Sequence, residues 1–229
     1  MSAHRVKLPV QAETYQSLLQ ITQALNAGEK NSLSKSLGEV LTKLTCEILD
    51  QVFADLIRAQ AQLASSKSTG ESQQVLDQIS QQLQKYMPMS IGIFANERLK
   101  PVANYLLAQF DTENSEQAYL CYEVSDALVE QSKTHYQQLM QGDQHVIDGV
   151  FTDLVQIIDQ GVSALIRAPK AMLKFNLVLD KTLNSVINVT TNIGYKRIGK
   201  IGKSLQLTQA QDYAKHFNHF LRIEESSSS

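Results

Sequence analysis

Along residues 32–63 the apolar side chains Leu37, Val40, Leu41, Leu44, Ile48, Val52, Leu56 and Leu63 return every three to four positions. That is the period of one helix face, so the stretch predicts a single long amphipathic helix. Its stripe has to be covered, and the rest of the chain offers more helices for the purpose. Pro9 predicts the start of a first helix that runs to about Asn26 and is stopped by Ala27-Gly28. SSKSTGES (65–72) reads as a polar turn or flexible link. A Gln-rich helix over about 71–87 follows, with Leu76, Ile79, Leu83 and Tyr86 on a narrow seam, ended by Met87-Pro88.

Residues 90–110 predict a helix with a kink or break near Lys100, before Pro101. DTENSE (111–116) reads as a loop in which Asn114 or Ser115 caps a helix carrying Leu120, Val124, Leu128 and Leu139. The most apolar segment, about 145–167, places Ile147, Val150, Phe151, Leu154, Ile158, Val162 and Leu165 on one wide face. Pro169 forces a new start, and a helix from about 170 runs at least to Ile193. VINVTTNI (186–193) is rich in β-branched residues, yet Leu183, Val186, Thr190 and Ile193 keep helical spacing. A last helix over about 208–223 precedes a serine tail at 226–229 expected to be disordered.

Only 10 glycines and 4 prolines interrupt 229 residues, which suits long helices better than a turn-rich β fold. The expected class is all-α, an irregular or elongated bundle of about seven to eight helices. It forms a single helical domain, or two subdomains: an acidic one over 1–110 and a second over 111–225 that carries a basic C-terminal region. No repeat marks a solenoid.

Charge is segregated along the chain. Residues 1–160 hold 11 Lys/Arg against 19 Asp/Glu, a net of −8, and residues 161–229 hold 10 against 4, a net of +6. On an ideal helix started at Lys170, the side chains of Lys170, Lys174, Lys181, Lys196, Lys200 and Lys203 fall on one face. Arg197 departs from it, and most of the apolar residues lie opposite. Lysines on one side of an amphipathic helix are either a solvated face or an anion-binding one. An anionic lipid or granule surface, or an acidic protein partner, fits the second reading. Nucleic acid fits less well, because the isoelectric point is about 6.2 and no helix-turn-helix or aromatic interleaving accompanies the lysines.

Other chemistry is thinly signalled. GKIGKS (199–204) ends like a phosphate-binding loop, but the glycine that such a loop needs at position 197 is Arg197. Asp212, His216 and His219 share a helix face and offer three metal ligands with no fourth in view, so no metal or other cofactor is expected. Cys46 and Cys121 stand 75 residues apart in no metal or redox spacing and read as reduced core thiols. The start MSAHRVKLPV has no apolar signal core, and no window reaches the about 18 uncharged apolar residues of a spanning helix. The expectation is a non-catalytic, self-associating cytoplasmic binding or scaffolding protein, peripheral to a membrane or granule at most. The alternative is a helical-bundle enzyme or ligand-binding protein with a pocket between helices.

Overall fold

The computed structural model describes residues 4–63, 66–112 and 117–220; within those spans it describes no side chains for 52–63, 66–73, 75, 76, 178, 186, 219 and 220. The chain is 78% helical, as its periodicity predicts, with a small sheet in addition. The helices are α1 (Ala12–Ala27), α2 (Ser34–Leu63), α3 (Ser66–Ile91), α4 (Asn96–Leu107), α5 (Asp126–Met140), α6 (Ile147–Val162), α7 (Ala168–Met172), α8 (Leu177–Ser204) and α9 (Leu207–Phe220). A π-helical turn, Ser163–Arg167, joins α6 to α7 in one uninterrupted run, so eight helical rods are present among the described residues.

The sheet is the part that periodicity missed. Strands β1 (His4–Val10), β2 (Phe110–Asp111) and β3 (Ala118–Val124) lie in the order β1-β3-β2, with β2 antiparallel to β3 and Phe110 facing Leu120. Leu120 and Val124, expected at the start of a helix, sit on β3 instead. Ala118, Leu120, Tyr122 and Val124 are all buried in an alternating pattern. Two residues four apart fit both periods, and the intervening Tyr and Cys residues settle it for strand. In β1, Val6, Leu8 and Val10 alternate in the same way. Pro9 therefore lies in an edge strand, where its missing N–H costs nothing, rather than at a helix start.

Two compact units divide the chain. One takes the chain up to Lys7, Cys121–Ala168 and the chain from Phe175; the other takes Leu8–Leu120 and Pro169–Lys174. In the second of these α2 packs along α3, and α1 packs on α2 and α4. Gly38 permits the close approach of α2 and α3: a Cβ there would stand 2.9 Å from the Cα of Pro88. Pro88 lies inside α3, which continues to Ile91 where a stop was expected, and its carbonyl still accepts from the Gly92 amide at 2.8 Å. α3 also begins at Ser66, within the segment read as a turn.

The break expected near Lys100 falls earlier, between Ile91 and Asn96, and Pro101 is interior to α4. Asn96 makes that start a tether. Its Oδ1 accepts from the Leu33 amide at 2.9 Å, and its Nδ2 donates to the carbonyls of Glu29 and Asn31, each at 2.8 Å. The proposed caps Asn114 and Ser115 lie outside the described residues.

In the other unit α6 is the centre, packed by α5, α8 and α9. Ile147, Phe151 and Leu154 are buried, as the apolar face of this segment predicts, but Ile157, outside that predicted face, is buried while Ile158 is half-buried. The helix expected from 170 to 193 is two elements. Lys174 has φ 47°, and Asn176 then caps α8 by accepting from the Leu179 amide at 3.0 Å. VINVTTNI is helical, and α8 runs unbroken through Gly194, Gly199 and Gly202 to Ser204.

Candidate functional site

The rotation of α8 decides which way its lysines face, and two contacts with α6 set that rotation. Tyr195 donates its hydroxyl to Asp159 Oδ1 at 2.8 Å, and Arg167 Nη1 donates to the same oxygen at 2.8 Å. Burial, reinforced by the Asp159 carboxylate, pushes the Tyr195 hydroxyl well above its ordinary value, so it stays a donor. About two turns further on, Gly202 lies against the Phe151 side chain, where a Cβ would be 2.7 Å from Cγ. Gly194, Ile198, Ile201 and Gly202 are buried as a result.

The opposite side of α8 carries Lys181, Lys196, Lys200 and Lys203, all exposed. None of these four has a carboxylate within ion-pair distance among the described residues, and the only acid in α8, Asp180, is hydrogen-bonded to Asn184 at 2.9 Å. Lys196 to Lys203 span roughly 10 Å of helix at 1.5 Å per residue. Upstream on the same side, Val189 is 50% and Ile193 38% exposed. The face therefore carries three lysines near its C-terminal end, a single lysine near its N-terminal end and exposed apolar residues between them.

The structure divides the seven basic residues singled out from sequence. Lys181, Lys196, Lys200 and Lys203 share the exposed face. Arg197, half-buried, is turned 100° from Lys196. Lys170 belongs to α7 and Lys174 to the connector, both in the other unit, so the helical phase that linked them to Lys181 does not exist. The phosphate-loop resemblance of 199–204 dissolves as well, because these residues are the last turns of α8 rather than a loop after a strand.

The metal candidate has no closed geometry. Asp212 is exposed and pairs with Lys215 at 3.5 Å, His216 packs edge-on to Phe217, and the His219 side chain lies outside the described residues. Among the described residues no three His, Cys, Asp or Glu side chains are grouped to hold an ion. Cys121 is buried and Cys46 half-buried, both free thiols, and burial raises the Cys46 thiol above its ordinary value.

Two clusters escaped sequence reasoning because their members are far apart in the chain. Asp153, with 0% exposure, accepts from Gln131 Nε2 and sits 2.6 Å from His135 Nδ1. Gly149 makes room for that ring, since a Cβ there would be 3.0 Å from His135 Cε1. Helical spacing puts Gln131 and His135 on one face of α5, and that is the only trace the pair left in the sequence. The second cluster is a cavity between the N-terminal strand and α5, α6 and α9, whose basic members His4, Arg5 and Lys133 carry no motif.

The continuous run Gln144–Met172 is long and apolar enough to cross a membrane by length and composition alone. In this fold it carries the buried Asp153 and the paired Asp159, and packs Phe151, Leu154 and Ile157 into protein. Comparison of the chain with models of protein families, with curated proteins and with solved structures gives no match.

Proposed function

We propose that the chain is a non-catalytic helical protein of the cytoplasm that docks on an anionic lipid surface through the exposed face of α8. One observation carries the reading. Lys181, Lys196, Lys200 and Lys203 project from one side of a helix with no neutralising carboxylate in reach among the described residues, next to exposed Val189 and Ile193. The three cations clustered at Lys196, Lys200 and Lys203 repel one another, and all four gain when they meet fixed anions. Apolar side chains beside them favour the boundary of a bilayer over a purely polar partner, because they gain by leaving water. The lysine stems can lie along that boundary while their ammonium groups reach the headgroups.

The test is co-sedimentation with vesicles of neutral phosphatidylcholine alone or mixed with phosphatidylserine. Each surface lysine contributes about 1 kcal/mol, so the Lys196→Ala, Lys200→Ala, Lys203→Ala variant should bind the anionic vesicles about a hundredfold more weakly. Its thermal stability should match that of the parent chain. Equal binding to both vesicle types would end the proposal. Binding to an acidic protein but not to lipid would reassign the face to a protein partner.

A further inference from the structure

A half-open cavity of about 470 Å³ lies within the unit that holds α5, α6 and α9, in the size range of small-molecule sites. Its floor is apolar, with Phe151, Ile157 and Phe217 among the buried residues that form it. Its polar wall has one sign. The cations Arg5 and Lys133 line it together with His4 and neutral polar side chains, and no carboxylate does among the described residues.

The carboxylates that partner these cations stand outside the lining and in water. Glu123 lies 3.7 Å from Arg5 and Glu130 lies 3.1 Å from Lys133, each acid being 69% exposed. Exposed pairs of this kind are weak, so each cation can exchange its partner for an acid brought in by a ligand, where less water competes. His4 has hydrogen-bonding capacity to spare. Its Nε2 is 3.8 Å from Asp126 Oδ1, too far for a hydrogen bond, and its buried Nδ1 has no partner among the described residues. A buried ring nitrogen without a partner is uncommon in a finished fold.

We propose that this cavity binds an apolar monocarboxylic acid, its head between His4, Arg5 and Lys133 and its body over Phe151, Ile157 and Phe217. The arrangement is that of most small-ligand sites, in which apolar area supplies affinity and a few convergent polar groups fix orientation. The site stands apart from the α8 face and does not depend on it.

The experiment titrates the intact chain with decanoate below its micelle concentration, by calorimetry and by amide chemical shifts. Decanol and acetate are the two controls. Decanoate should bind once per chain and shift the amides around Arg5, Lys133 and Phe217, decanol should bind at least about tenfold more weakly, and acetate should not bind. Arg5→Gln with Lys133→Gln should weaken decanoate about tenfold and leave decanol unchanged. Val150→Trp, which fills the cavity from a half-buried position in its wall, should abolish both. The shift map on the unaltered chain decides the matter should that variant fail to fold. The Lys196→Ala, Lys200→Ala, Lys203→Ala variant should bind decanoate as the parent does. Unsaturable binding, equal affinity for decanol, or loss of decanoate binding in the α8 variant would each overturn the proposal.

Discussion

Gly202 of α8 rests on the side chain of Phe151 of α6 so closely that an added Cβ would stand 2.7 Å from its Cγ and 3.0 Å from its Cβ. Both residues are buried, and the Tyr213 ring stands edge-on to that of Phe151, 6.2 Å away between centroids. An added methyl would have to displace the Phe151 side chain near its root.

Gly202→Ala should therefore cost about 1–3 kcal/mol, the usual penalty for forcing a methyl into a packed core. Gly199, three residues earlier on the same helix, has nothing within 4 Å of a built Cβ. There the intrinsic helix preference decides, and Gly199→Ala should stabilise by about 0.5–1 kcal/mol. Urea denaturation of the two variants reads the difference in sign. A destabilising Gly199→Ala would mean that α8 does not run unbroken past it.

The His135–Asp153 pair should be asymmetric to mutation. Asp153 is fully buried, so His135→Ala leaves a carboxylate with only the Gln131 amide for support and should cost about 3 kcal/mol or more. Asp153→Asn keeps hydrogen-bonding groups in place and removes the buried charge, and should cost about 1 kcal/mol. Chemical denaturation near neutral pH compares them. The reverse order would show that His135 is not what sustains the buried carboxylate.

Stability should fall in alkali from about the ordinary tyrosine value of 10 upward. Burial raises the hydroxyls of Tyr122 and Tyr195 and pushes Tyr213 up to about 12. A raised folded value means that the folded chain keeps its proton where the unfolded chain has lost it. The contribution is thus complete below the unfolded value and declines as pH climbs through the folded one. Melting temperatures measured across this range should drop, and Tyr195→Phe should flatten the drop. A melting temperature that stays level up to pH 12 would contradict the burial of these hydroxyls.

Binding of the chain to phosphatidylserine vesicles should weaken steeply between low and moderate salt, as expected of exposed lysines acting through water. Val189→Ser with Ile193→Ser should weaken it further without changing the salt slope, since those residues contribute burial and no charge. A salt-independent affinity would point to apolar insertion alone.

The helices were legible because each needs only its own residues: Leu37, Leu41 and Leu44 repeat at the helical period whatever they pack against. The charge segregation and the Lys196–Lys203 cluster were legible for the same reason. Sequence reasoning failed where two periods coincide, as at Leu120 and Val124, and where a helix runs on through a proline, as at Pro88. It also carried the phase of one ideal helix from Lys170 to Lys203, across a connector whose φ 47° at Lys174 no periodicity reveals.

What the sequence determined by itself was a chain of amphipathic helices with its positive charge at the end, since propensity, period and composition are local quantities. Tertiary structure alone decided which way α8 turns its lysines, because that rotation is fixed by Tyr195 on Asp159 and Gly202 on Phe151, contacts 36 and 51 residues apart in the chain. It alone brought His4 to the cavity wall beside Lys133 and buried Asp153 against His135. Partners so distant in sequence meet only when the hydrophobic faces between them have closed, and no local pattern records where that closure will place them.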